Sequence, residues 1–179
     1  MTTLDSIRDA LPDYARDLKL NLGSVLATTG APGLTDKQIW AVALASAIAS
    51  RNVSFTRDIE SLAAAHLDAS YVNGARSAAA VMGMNNIYYR FLHLVEDPEY
   101  AQMPARLRMN VIGNPGIDKM DFELLSLAVS VINGCGTCVV AHERQLRQHG
   151  TSREAIQSAV RIAATVHAVA RAAEAFKAA

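Results

Sequence analysis

Apolar residues recur every three and four positions along almost the whole chain, and strand-type alternation is scarce, which confines the fold to packed helices. Thr35-Asp36-Lys37-Gln38 and Thr151-Ser152-Arg153-Glu154 read as capping boxes, in which the threonine and the residue three positions on satisfy each other's backbone N–H groups. The first predicts a helix through Trp40, Ala43, Ala47 and Ile48 to about Ser50, and the second a long alanine-rich helix towards the C-terminus. Asp118 is suited to cap a helix carrying Phe122, Leu125, Val129 and Ile132, interrupted at Asn133-Gly134. A new helix then starts near Cys135 and runs through His142 to Gln148, with Gly150 fitting its C-terminal cap. Further helices are predicted within 4–26 and over 56–66, 69–82 and 85–95, with a turn at 29–34 and a short helix after Pro104. The expected fold class is all-α, a helical bundle.

Gly113-Asn114-Pro115-Gly116 is the sharpest break. A chain of 179 residues fits one domain, 1–179, which this break divides into a helical half at 1–112 and a second half at 113–179 carrying both cysteines. The halves look alike at an offset of 82 residues: Asp36-Lys37 falls on Asp118-Lys119 and Trp40 on Phe122. At that offset the two cysteines stand where the first half has Val53 and Thr56, so only the second copy carries the chemistry.

Composition removes several classes of function. A chain this long hides roughly 70% of its unfolded surface, so it needs neither disulfide staples nor a structural metal. With 51% hydrophobic and 19% charged residues it has a globular balance. Seventeen basic against seventeen acidic residues give no nucleic-acid or acidic-membrane footprint. The N-terminus lacks a basic segment followed by an apolar core, and no apolar run reaches the ~18 residues of a membrane span. The expected location is the cytoplasm, where thiols are kept reduced, so two cysteines do not read as a structural disulfide.

Both cysteines fall in Asn133-Gly134-Cys135-Gly136-Thr137-Cys138-Val139-Val140-Ala141-His142-Glu143. On a helix, offsets of three and seven place Cys135, Cys138 and His142 on one face, a turn apart. Two sulfurs so spaced can close a disulfide with little rearrangement. A helix N-terminus favours the Cys135 thiolate, while an imidazole one turn away favours the Cys138 thiolate, and spacing leaves the order open. His142 suits a general base near neutral pH. Against this redox reading stand two others: inert core cysteines, and a zinc site, which would want a fourth ligand and a second cluster that the sequence lacks. Glu123, among Phe122, Leu124 and Leu125, either orients the imidazole or lies on a solvated helix face, and its neighbours alone favour the latter. His66, His93, His149 and His167 read as surface or satisfied core residues, and Asn85-Asn86-Ile87-Tyr88-Tyr89-Arg90-Phe91 as a site wall or a subunit contact.

The stretch Asn114-Pro115-Gly116-Ile117-Asp118-Lys119 through Asp121-Phe122-Glu123-Leu124, the cysteine segment to Glu143, and the segment 85–91 together resemble the alkyl hydroperoxide reductase D (AhpD) proteins over nearly the whole chain. The resemblance implies an all-helical, carboxymuconolactone-decarboxylase-like fold assembled as a homotrimer. It implies an antioxidant enzyme that reduces alkyl hydroperoxides and the peroxiredoxin AhpC. Electrons would come from dihydrolipoamide on a lipoylated dehydrogenase-complex subunit, with no bound cofactor or metal. By residue, it implies Cys138 as the peroxidatic sulfur, which becomes a sulfenic acid and forms the mixed disulfide with AhpC. Cys135 would be the resolving partner and proton donor, and His142 with Glu123 the proton relay. Some members have a histidine before the second cysteine, where this chain has Thr137. A hydroxyl passes a hydrogen bond but is no base at neutral pH, so the relay would lean on His142 and Glu123. The alternatives are a decarboxylase-type enzyme of the same superfamily without redox chemistry, and a redox-sensing or metal-binding module.

Overall fold

The computed structural model describes residues 2–177, and these are built from helices and turns alone. The chain opens with α1 (Leu4–Asp9), a 3-10 turn (Asp13–Ala15) and α2 (Arg16–Val25). Then come α3 (Asp36–Ala49), α4 (Val53–Ala63) and the long α5 (Ala69–Leu94). Two short helices, α6 (Pro98–Gln102) and α7 (Asn110–Gly113), lead to α8 (Lys119–Asn133), α9 (Gly136–Gln148) and α10 (Arg153–Lys177).

α3 and α8 sit at the centre because their sequences are apolar on every side. Ile39 to Ala47 are all buried in α3, as are Leu124 to Ser130 in α8, the pattern of a helix surrounded by others. α3 packs against α4, α5, α8 and α10, and α8 against α3, α5, α9 and α10. Alanines such as Ala43, Ala45, Ala159 and Ala163 let the axes approach closely. The buried side chains form one cluster drawn from both sides of the 113–116 break. Asp121 locks the N-terminal end of this packing: Gln38 Nε2 donates to its Oδ1 at 2.7 Å and the Tyr71 hydroxyl to its Oδ2 at 2.6 Å, joining α3, α5 and α8. Burial, and then this bond, push the Tyr71 phenol well above its ordinary pKa.

Several elements depart from the sequence reading. The helix expected within 4–26 is split, because Pro12 stands between α1 and the 3-10 turn and has no N–H to continue the first helix. The helices expected over 69–82 and 85–95 are one. Gly83 costs about 1 kcal/mol in a helix interior, and burial of Ala78, Met82, Asn85 and Asn86 around it outweighs that. No helix follows Pro104 directly; α6 precedes it and α7 comes six residues later. α4 starts earlier than expected, since Asn52 caps it by accepting the Phe55 N–H at 3.0 Å. The Thr35 box forms in both directions. The box expected at Thr151 shifts by one, with Ser152 Oγ accepting the Ala155 N–H at 3.0 Å.

Candidate active site

α8 ends in a turn that delivers Cys135 to the start of α9. Gly134 takes φ 70°, a left-handed conformation open to glycine at little cost. Its N–H reaches the Val131 carbonyl at 3.1 Å, and the Cys135 N–H reaches the Ser130 carbonyl at 3.1 Å. This paired arrangement closes a helix and reverses the chain. Cys135 is therefore both the residue after one helix and the N-cap of the next, its Sγ accepting the Cys138 N–H at 3.4 Å. The two cysteines are joined as a disulfide, with Cα atoms 5.3 Å apart. Cys135 is fully buried, whereas Cys138 keeps 7% of its surface.

One turn beyond Cys138, His142 Nδ1 lies 2.7 Å from Glu123 Oε2. The side chains are only 13% and 16% exposed, so the solvated Glu123 that its neighbours favoured does not hold: α8 and α9 cross so that the carboxylate meets the ring. With Nδ1–H donated to the carboxylate, Nε2 is the ring atom left to accept a proton. Cys138, His142 and Thr137 line one cleft of about 290 Å³, walled mainly by apolar side chains, with Met82 and Tyr89 from α5 and Met109 and Ile112 from α7 and the residue before it. Asn85 lines it too. Asn85 is 95% buried, 5% being exposed, and its Oδ1 has no hydrogen-bond partner.

α5 also clamps the turn. Asn86 Nδ2 donates to Ser130 Oγ and Asn133 Nδ2 to Asn86 Oδ1, both at 2.9 Å, while Arg90 Nη1 donates to the Asn133 carbonyl at 2.7 Å. The segment 85–91 thus lines the cleft and fixes the loop ahead of Cys135. Its polar residues on an apolar helix were the signal; Met109 and Ile112 gave none. The other histidines are structural where partners are seen. His66 pairs with Asp36 at 2.6 Å and stacks on Trp40, while His167 bonds Ser50 Oγ at 3.1 Å. Among the described residues no group of three or more His, Cys, Asp or Glu is placed to hold a metal ion, and no helix is long and apolar enough to cross a membrane.

The internal likeness is present in the backbone, at a register of 83 rather than 82 residues. Thr35 and Asp118 are the N-caps of α3 and α8. Arg51 (φ 64°) and Gly134 (φ 70°) are the left-handed residues after them, and Asn52 and Cys135 cap the helices that follow. Each of these pairs is separated by 83 positions (118 − 35, 134 − 51, 135 − 52). The repeated Asp-Lys pair had suggested a frame one residue out. In the observed frame Asn52, Phe55 and Ile59 stand where the second copy has Cys135, Cys138 and His142.

Known proteins resemble the chain at the level of family. The carboxymuconolactone decarboxylase family matches residues 98–179. Over nearly full length the chain is similar to proteins named alkyl hydroperoxide reductase AhpD. That of Rhodospirillum centenum is 55% identical over 168 residues, covering 94% of this chain and 89% of that protein. That of Frankia alni is 54% identical over 175 residues, covering 98% and 93%. That of Streptomyces coelicolor is 55% identical over 167 residues, covering 93% and 92%.

Proposed function

The chain belongs to the alkyl hydroperoxide reductase AhpD family, and from that membership we propose that it is an antioxidant enzyme reducing alkyl hydroperoxides, and the peroxiredoxin AhpC, through a dithiol–disulfide cycle at Cys135 and Cys138. The observation that carries the reading is the pair of bonded sulfurs, of which Cys138 shares a cleft with His142, the ring that Glu123 holds. The same pair weighs against a decarboxylase-type chemistry, which has no use for two sulfurs at bonding distance.

In the reduced enzyme His142 Nε2 takes the Cys138 thiol proton, and Glu123 stabilises the resulting imidazolium. The Cys138 thiolate attacks the outer oxygen of the hydroperoxide. The O–O bond breaks, the alkoxide leaves as alcohol with the proton returned by His142, and Cys138 becomes a sulfenic acid. Cys135 sulfur then attacks Cys138 sulfur; its proton leaves with the sulfenic hydroxyl as water, and the disulfide forms. The exposure difference supports this order, since only Cys138 reaches the cleft. Dihydrolipoamide on a lipoylated dehydrogenase-complex subunit supplies two electrons and two protons by exchange through a mixed disulfide, leaving as the cyclic disulfide. Oxidised AhpC would accept electrons from the reduced enzyme by the same exchange at Cys138.

Thr137 lines the cleft, so a hydroxyl rather than a second base stands at its rim. Phe91, Leu94, Tyr100 and Met103 are exposed, with the Phe91 and Tyr100 rings in edge contact, and such apolar surface is what assembly into a homotrimer would cover. The test is a count of free thiols under anaerobic conditions. Dihydrolipoamide should raise it from zero to two per chain, and a stoichiometric alkyl hydroperoxide should return it to zero. Two thiols that persist through the peroxide step would refute the cycle.

A further inference from the structure

A second cavity, of about 550 Å³, lies at the turn between α3 and α4, the first copy's counterpart of the cysteine turn. Its walls carry Arg51 from that turn, Arg90 from α5 and Arg171 from α10. Glu174 is the one carboxylate on the wall, and it is engaged, accepting from Asn52 Nδ2 at 2.7 Å. Arg90 uses Nη1 on the Asn133 carbonyl. Arg51 and Arg171 have neither an ion pair nor a hydrogen-bond acceptor among the described residues. His167 also lines the cavity, its Nδ1 on Ser50 Oγ; burial, and then Arg171, push its pKa down, so the positive charge of the walls is carried by arginine.

The backbone adds an independent observation. Arg51 sits in the left-handed region at φ 64°, where the matching residue of the second copy is Gly134. A side chain in that conformation is strained, and glycine would remove the strain. An arginine held there against the local preference, without an ion pair among the described residues, is the kind of outlier that points to a ligand. Three guanidinium groups against the single Glu174 carboxylate leave the walls with a net positive charge, which favours an anion between them.

We propose that this cavity is a binding site for a small oxyanion ligand carrying two or more negative charges, a polycarboxylate or a phosphate ester, held by the guanidinium groups of Arg51, Arg90 and Arg171. Planar guanidinium forks match carboxylate and phosphate oxygens two at a time, and the cavity holds a molecule well above the size of a single inorganic ion. The site is separate from the redox cleft, with which it shares no lining residue.

The experiment is calorimetric titration of the full-length protein with citrate and with inorganic phosphate, each at ionic strength matched with sodium chloride. Saturable uptake of either anion is expected. A preference for citrate assigns the site to carboxylates, and a preference for phosphate assigns it to phosphoryl groups. Arg51→Gly removes one guanidinium while keeping the turn's conformation, so it should bind about tenfold more weakly or worse. Its ligand-free melting temperature should equal or exceed that of the parent chain, which separates lost binding from lost folding. Arg171→Gln should show the same loss. Absence of saturable uptake of both anions, or equal affinity in Arg51→Gly and the parent chain, would overturn the proposal.

Discussion

Replacing Glu123 by glutamine tests whether the dyad does chemistry or merely packs. The carboxylate and the His142 ring are 2.7 Å apart, with 16% and 13% of their side chains exposed, so solvent screens the pair only in part. Glutamine has the same shape, and its amide oxygen still accepts from Nδ1–H, so ring orientation and fold should persist. What is lost is the charge that favours an imidazolium. A hydrogen bond to a charged group contributes about 1.5–3 kcal/mol net and a neutral one about 0.5–1.5, so the difference is roughly 1–2 kcal/mol. That difference applies only once the ring holds the thiol proton, so it adds to the barrier of the peroxide step. At about 1.4 kcal/mol for each factor of ten, peroxide reduction should slow by roughly 5- to 30-fold. The measurement is stopped-flow reaction of the pre-reduced enzyme with an alkyl hydroperoxide, alongside thermal unfolding. In a chain of this length 1 kcal/mol moves the melting temperature by about 2–4 °C, and the shift here should be no larger. A Glu123→Gln enzyme that reacts at the parental rate would show the pair to be structural and remove it from the proton relay.

Three further outcomes are expected. Cys138→Ser should abolish both peroxide reduction and the mixed disulfide with AhpC, while Cys135→Ser should stop at a trappable Cys138 sulfenic acid; mass spectrometry after dimedone labelling distinguishes them, and full activity in Cys138→Ser would contradict the assignment. Asn86→Leu leaves Ser130 Oγ and Asn133 Nδ2 without their partner where Asn86 is 1% exposed, at about 1–3 kcal/mol for the buried hydroxyl and less for the half-buried amide. Denaturant unfolding should show a loss of roughly 2–4 kcal/mol, and a loss under ~0.5 kcal/mol would deny the clamp. Asp68 caps α5, and its pKa is held at about 2 by the Ser70 hydroxyl, then by the Tyr71 N–H. Because the folded value lies below the ordinary 3.8, the unfolded chain binds the extra proton first. Its contribution is therefore complete above pH 3.8 and disappears as pH falls towards 2. Asp68→Asn, which retains a capping side chain, should lose less stability over that window than the parent; identical acid curves would refute the reading.

Local signals carried much of the fold. Thr35 and Gln38 close their box within four residues, so pattern alone finds it. At 151–154 two adjacent hydroxyls compete, and the choice is made outside the motif. The turn ending α9 uses the Thr151 N–H on the Leu146 carbonyl at 3.0 Å, which places Thr151 in that turn and leaves Ser152 to cap α10. α5 shows the opposite case, in which tertiary burial holds a helix through Gly83 where propensity suggests an end.

The site divides the same way, and the division explains how the two sulfurs are seated. Cys135, Cys138 and His142 lie within eight residues of one another, and helical spacing alone puts them on one face. Glu123 and Asn85 come from elements that only packing brings near, so no local pattern could choose between a solvated carboxylate and a buried one. The frame of 83 residues goes further. In both copies a left-handed residue ends the central helix and the next side chain caps the helix that follows. Asn52 does this with an amide oxygen accepting at 3.0 Å, and Cys135 with a sulfur accepting at 3.4 Å. The capping position is therefore a fixture of the fold that exists without redox chemistry. A cysteine placed there gains a partner sulfur one turn on, where the first copy has Phe55, and an imidazole at the position of Ile59. The cap already aims its acceptor atom at the N–H of the residue three positions along, so the same geometry that closes a helix end brings the two sulfurs together.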